Sequence, residues 1–329
     1  MISGKNNKKF LEYLKSLKGL NRKRCLTGQH LPEWSNAYEA VDSYLGVLTQ
    51  YPAIIGTTIK TGHNDDQSHL DSHLDVLNKF ASMNGVLLLD IHPADPWRPE
   101  GHIGTAWVVD QDTKPNLDEL LLLAPDSEAK TKWWNQIRKL IDVLNKLPAD
   151  ATVIFRPFHE ANGKHFWWGY NPQNPEQEQK LLRLTDDVRR VLEWENQKVI
   201  WAHSGAAQSW FAPVKWGRAS WVDLVGATVY DDEVIFKDNA EYQELVKTQK
   251  PILVSEIGPN VHKDQPGIWD SSQITRSLKT LYPKVIGWQA WHGWDQNGKW
   301  LHVAPSENQN STAPFINSWS VNVEDLPKF

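Results

Sequence analysis

Eight short apolar runs, rich in Val, Ile and Leu, recur along the chain and alternate with segments of helical period. The runs fall near residues 24–27, 53–57, 86–91, 152–155, 198–202, 224–229, 252–255 and 285–289, and helices are predicted over residues 8–17, 69–82, 132–147, 176–195, 240–248 and 271–281. The runs show little alternation of polar and apolar residues, so both faces of each strand must be covered. That is the condition of a parallel sheet flanked by helices. Eight strands are the number that closes a barrel, and 329 residues accommodate one (β/α)8 barrel, whose usual size is about 250 residues and more with insertions. The expected architecture is α/β, a single (β/α)8 TIM barrel spanning residues 1–329, with no internal repeat, low-complexity tract or linker.

Chemistry in such a barrel sits where strands end and loops begin. The fourth run leads into VIFRPFHEANGKHFWWG (residues 153–169), which presents Arg156, His159 and Glu160 as the chain turns and then a cluster of aromatic residues. The seventh, PILVSEIG (residues 251–258), is expected to deliver Glu256 as its last residue before the loop. The fourth and seventh strands face each other across an eight-stranded barrel, so both glutamates can point into one cleft. Either glutamate alone reads as a helix cap or a surface ion-pair partner. Together they suit a retaining glycosidase, which needs two carboxyl groups about 5–5.5 Å apart, one an acid and one a nucleophile. The two must titrate apart: the aromatic loop after Glu160 would keep it protonated, whereas Arg156, His159 or Tyr230 would hold Glu256 ionised. A zinc-protease reading fails, because the HExxH spacing would require histidine where Gly163 stands.

Composition narrows the partners. The 35 basic and 40 acidic residues are interspersed, for a net charge of -5, which disfavours nucleic acid and anionic membranes. The 18 tryptophans, many beside Gly, His, Asp or Asn, suit stacking against pyranose faces. Cys25 stands alone, so no intrachain disulfide forms. The opening MISGKNNKKF has no apolar stretch behind it, and neither a secretory signal nor a membrane span is expected. His30, His63, His92, His102, His203 and His292 fall at strand ends or in loops, but no two have the helical spacing of a metal pair. No metal or other cofactor is expected, and sugar hydroxyls are the alternative use for these histidines. The connection over residues 92–126 is long enough to be functional; Trp97 in it is read as a substrate contact and Trp168, before Gly169, as packing.

RPFHEANGKHFWWG resembles the fourth-strand signature of glycoside hydrolase family 26, and VSEIGP resembles its seventh-strand segment. LTGQH, PAIIG, LLLDIHPADPW and VGATVYDD follow in that family's order, so the resemblance covers nearly the whole chain. It implies a retaining (β/α)8 enzyme acting on β-mannan polysaccharide or manno-oligosaccharides, with mixed-linkage β-glucan and β-1,3-xylan as the activities of smaller branches. It makes Glu160 the acid/base and Glu256 the nucleophile, with His159 and Tyr230 bonding the nucleophile and Arg156 bracing the carboxylates. It implies that His92 contacts the sugar on the non-leaving side, and that one of Trp288, Trp291 and Trp294, with Trp291 preferred, floors that subsite. His159, His92 or Asn162 would meet an axial 2-hydroxyl. His165 departs from the family's usual aromatic residue, near the leaving group; TTIKTGHNDD after the second strand and His292 depart as well. The expected protein is an endo-acting, monomeric mannanase working outside the cell or in the periplasm. Exo-acting release of mannobiose and a catalytically silent sugar-binding barrel are the alternatives.

Overall fold

The computed structural model describes residues 1–17, 24–32, 50–61, 67–98, 115–163, 165–169, 176–207, 219–236, 239–296 and 298–329. His63, His102 and residues 99–114 of the long connection after the third strand lie outside these residues. The barrel strands are β1 (Cys25–Leu26 and Gly28–His30), β2 (Ile54–Thr61), β3 (Val86–Pro93), β4 (Thr152–Arg156), β5 (Ile200–Ala206), β6 (Leu224–Tyr230), β7 (Ile252–Gly258) and β8 (Val285–Ala290). Each pairs in parallel with the next, and β8 returns to β1 through Leu26↔Gly287 and Gln29↔Ala290, closing the barrel.

Six helices are described: α1 (Asn7–Leu17), α2 (Gln67–Ser82), α3 (Glu128–Asn145), α4 (Gln177–Trp194), α5 (Asn239–Lys247) and α6 (Gln273–Thr280). Each lies where its hydrophobic period places it. The start of α3 is fixed by Ser127, whose side chain accepts from Lys130 N at 3.1 Å; such a cap satisfies one of the first-turn donors. Helix α1 precedes the first strand and buries Phe10, Leu14 and Leu17. The adjoining Ser3 donates its N–H to Ala149 O and Ile2 O accepts from Lys198 N, so this segment is tied to the entries of β4 and β5. The C-terminal segment returns to the barrel as β9 (Trp294–Gln296) and β10 (Lys299–Leu301), an antiparallel pair, and β11 (Ser320–Val321), which pairs with Cys25 and Leu26. Between the two halves of β1, Thr27 donates its N–H to Val321 O and its hydroxyl to Asn322 Oδ1 at 2.6 Å.

Most strands run further than their apolar stretches. β2 extends to Thr61 instead of residue 57, β5 to Ala206 instead of 202, and β7 to Gly258 instead of 255. Glu256 therefore lies within a strand, not at its last position. The extensions include Thr58, Thr61, His203, Ser204 and Glu256, and at the barrel mouth such side chains can point inward because neighbouring strands supply their partners. Pairing of β6 with β7 shifts register between Ala227 and Thr228, which face Val254 and Glu256, so Ser255 is bulged out of the ladder. In a regular strand successive side chains point to opposite faces. The bulge lets Ser255 and Glu256 both turn toward the barrel interior, where both meet Arg156.

Candidate active site

Arg156, the last residue of β4, organises the interior. Strand register sets it opposite Asp90 of β3. Its Nε donates to Asp90 Oδ1 at 2.5 Å and its Nη2 to Asp90 Oδ2 at 2.7 Å. Nη1 donates to Ser204 Oγ at 3.2 Å and Ser255 Oγ at 2.8 Å, and Nη2 donates to Glu256 Oε1 at 2.6 Å. All five guanidinium N–H donors are thus taken. Asp90 is the residue that sequence reasoning missed. Its signal was a carboxylate two residues before His92 in an otherwise apolar run.

Beyond Arg156 the backbone makes two left-handed turns. Phe158 and Glu160 both have φ of 51°, a region that costs L-residues of order 1 kcal/mol each. The surroundings hold it. Phe158 is buried against Trp133, Trp167 and Trp168 at ring separations of 5.6, 6.0 and 5.8 Å. The Glu160 amide donates to Ser204 O, and Gly163 N donates to Glu160 O at 2.7 Å. Asn162 bonds the backbone of Ala206 with both ends of its amide, at 2.9 and 2.7 Å. It is a clamp between the β4 turn and β5, which corrects its reading as a partner for a substrate hydroxyl.

The carboxyl groups meet different neighbours. Glu256 is 5% exposed and accepts from Arg156 and, at 3.3 Å, from the Tyr230 hydroxyl. Burial pushes it up to about 8 against the opposing Arg156 charge, with Glu160 adding to the rise. The cause is countable: one guanidinium is shared by two carboxylates, Asp90 and Glu256, and cannot neutralise both. Burial would raise Glu160 too, but the hydrogen bond and charge of His165, with the nearby Thr228 hydroxyl and Arg156, hold it below its ordinary value. The Tyr230 phenol is pushed well up by burial and by the Glu256 charge. These directions are the reverse of those expected from the sequence, which had Glu160 protonated and Glu256 ionised: His165 stands on Glu160, and at Glu256 burial outweighs the Arg156 charge. Two interacting carboxyls titrate as a pair, and the last proton they share is held up to about 8.

Other sequence-derived candidates divide. His159 and His92 meet Nε2 to Nε2 at 3.1 Å with their rings stacked. His159 therefore pairs with His92 instead of bonding Glu256, as expected above, and bracing of Glu256 falls to Arg156 and Tyr230. Burial and the Arg156 charge keep His159 well below the ordinary histidine value, hence neutral. Trp291, at the end of β8, stacks on His30 at 3.8 Å. Trp288 is fully buried against Phe315 in the outer layer, and Trp294 packs edge-on against Tyr230 at 6.0 Å. Of the three, Trp288 cannot be a subsite floor. Trp97 donates its indole N–H to Glu119 and packs edge-on against Trp167 at 5.6 Å. These contacts fix its ring, which is only partly buried. His203 is buried within β5, its pKa pressed down to about 3 by burial and by the Arg156 and Lys250 charges. Among the described residues, no group of three or more His, Cys, Asp or Glu is placed to hold a metal ion.

The sequence and the fold have counterparts among known proteins. The chain is 26% identical over 289 residues to a mannan endo-1,4-beta-mannosidase of Bacillus subtilis (strain 168), covering 84% of this chain and 74% of that protein. Its fold is similar to the Bacillus subtilis mannanase man26, with a TM-score of 0.78, 23% identity, and coverage of 97% and 92% of the two chains. It is likewise similar to the GH26 beta-mannanase of Bacteroides ovatus, BoMan26A, with a TM-score of 0.69, 20% identity, and coverage of 95% and 94%. The family model described as Glycosyl hydrolase family 26 matches residues 3–325. The chain belongs to glycosyl hydrolase family 26, and is a glycoside hydrolase.

Proposed function

We propose that this protein is an endo-acting, retaining β-1,4-mannanase that hydrolyses mannan, glucomannan or galactomannan by double displacement. The observation that carries the chemistry is the placement of two carboxyl groups at the barrel mouth, Glu160 in the turn after β4 and bonded by His165, and Glu256 on β7 and held by the buried Arg156 and by Tyr230. The relatives' activity on mannan supports the substrate. In the first step Glu160 gives its proton to the glycosidic oxygen as the bond from that oxygen to the anomeric carbon breaks, and the Glu256 carboxylate bonds that carbon. Water, deprotonated by Glu160, then displaces Glu256 and releases sugar of retained configuration.

Arg156 holds Glu256 Oε1 and Tyr230 approaches Oε2, which aims the nucleophile and spreads the charge it regains on leaving. His159 Nδ1 is buried with no hydrogen-bond partner among the described residues, a fit for a sugar hydroxyl close to the reacting carbon. Trp291, backed by His30, supplies the apolar floor under that ring. The chain acts as one catalytic domain and as a monomer, and it works outside the cell or in the periplasm, because a polysaccharide is too large to be taken up intact.

Hydrolysis of glucomannan, galactomannan, mixed-linkage β-glucan and β-1,3-xylan, with products resolved by size and Glu256→Ala as control, tests the proposal. Mannan cleavage to a ladder of oligosaccharides, lost in the variant, is expected. Cleavage of β-glucan or xylan alone would replace the substrate, and inactivity on all four would overturn the enzymatic reading.

A further inference from the structure

His165 lies five residues beyond Glu160, in the turn that follows β4, and the structure brings it back onto the acid/base: His165 Nε2 and Glu160 Oε2 are 2.6 Å apart. The approach is built in. The Gly163 amide closes the turn on Glu160 O, and a Cβ at Gly163 would stand 2.6 Å from His165 Cε1, so only a residue without a side chain leaves room for the imidazole. Phe166 packs against the ring at 4.4 Å. Side-chain exposures of 28% for His165 and 13% for Glu160 place the contact at the edge of the site, where solvent or a leaving sugar can reach it. Because a carboxylate oxygen can only accept, His165 carries its proton on Nε2.

We infer that His165 is a positioning residue for proton donation to the leaving group: by donating Nε2–H to Glu160 Oε2 it fixes the carboxyl plane and reserves Oε1 as the oxygen that carries the catalytic proton. The inference rests on Glu160 being the acid. The proton passes from Glu160 Oε1 to the glycosidic oxygen, and the Nε2–H of His165 stays where it is, so the histidine gains and loses nothing in the cycle. A donor on Oε2 stabilises the carboxylate that forms as the proton leaves, which strengthens the acid in the transition state. The other groups facing Glu160 are Arg156 of β4, Thr228 and Tyr230 of β6 and Glu256 of β7. Arg156 is engaged with Asp90, Glu256 and two serines. His165 is the side chain whose hydrogen bond to the Glu160 carboxyl is resolved at 2.6 Å.

The test compares kcat/KM, which reports the first chemical step, on mannotetraose and on a 2,4-dinitrophenyl β-mannoside whose leaving group needs no proton. For His165→Phe the expected loss is about 10- to 100-fold on the oligosaccharide, a part of the roughly 10²–10⁴ that general acid catalysis supplies, with less than about 3-fold on the dinitrophenyl substrate. Near-normal activity on the latter also reports an intact fold. His165→Gln, which keeps an N–H donor without a titrating ring, is expected to recover most of the loss. Equal loss on both substrates, no loss on either, or a Gln variant no better than Phe would each overturn the inference. Glu160→Ala separates the two levels: a wide split between substrates in Glu160→Ala but none in His165→Phe removes the role of His165 alone, whereas no split in Glu160→Ala removes the acid assignment and the inference with it.

Discussion

Replacing Glu256 by Gln should stabilise the protein, and more so as pH rises. Asp90, Arg156 and Glu256 form a buried cluster with two carboxylates and one guanidinium, so ionised Glu256 leaves it with one uncompensated negative charge. A glutamine keeps the shape and can still accept from Arg156 Nη2 but removes that charge. The rise of Glu256 from 4.5 to about 8 sets the scale, at most about 5 kcal/mol at 1.36 kcal/mol per pH unit. Sharing of the proton with Glu160 reduces it, and about 2–3 kcal/mol is expected. A carboxyl whose pKa is raised on folding makes the folded state bind more protons, so its contribution to stability is lost as pH rises from about 4.5 to about 8. Urea unfolding of both proteins at pH 5 and pH 8 measures this: the two should be close at pH 5, and the glutamine variant should lead at pH 8. Histidines that titrate in this interval are common to both proteins and cancel in the difference. A gap that stays constant, or one that narrows toward pH 8, would refute the reasoning.

The singly protonated pair is the active form, so kcat/KM should fall as pH rises through about 8, where the second proton leaves; a profile still flat at pH 9 would contradict this. Arg156→Met should cost about 3–5 kcal/mol in denaturant unfolding by stranding two buried carboxyls, and a loss below about 1 kcal/mol would show that the cluster is held some other way. Gly163→Ala should push the His165 ring off Glu160 and reproduce the selective loss on unactivated substrates expected of His165→Phe, and equal loss on both substrate types would instead indicate general damage to the turn.

Much of the barrel was legible because strands buried on both faces leave unbroken apolar runs, and all eight were located. Their C-terminal ends were not. The run at residues 198–202 continues as His203, Ser204, Gly205 and Ala206, residues that would end a strand facing solvent. Inside the mouth Ser204 meets Arg156, and partners of that kind come from other strands, which a linear reading cannot supply. The bulge at Ser255 is hidden for the same reason: SEI reads as simple alternation, although both Ser255 and Glu256 reach one guanidinium. Arg156, Tyr230 and Glu256 could be named because each closes or nearly closes its strand, and Glu160 because it stands in the turn directly after one. Asn162 was read as a ligand because a polar residue in a mouth loop carries no mark of whether the backbone, here that of Ala206, has already claimed it.

The two carboxyls show where such a site can be adjusted. Arg156 is committed on five hydrogen bonds from three other strands, so a change there disturbs Asp90, Ser204, Ser255 and Glu256 together. His165 stands on a loop, partly exposed, and bonds Glu160. A substitution at His165 alters the acid while the nucleophile keeps its Arg156 and Tyr230 partners. The interior therefore fixes how many protons the pair holds, and the loop decides how readily one of them is given up. Strength of the acid can vary on this scaffold without altering the buried charge count on which the fold and the nucleophile depend.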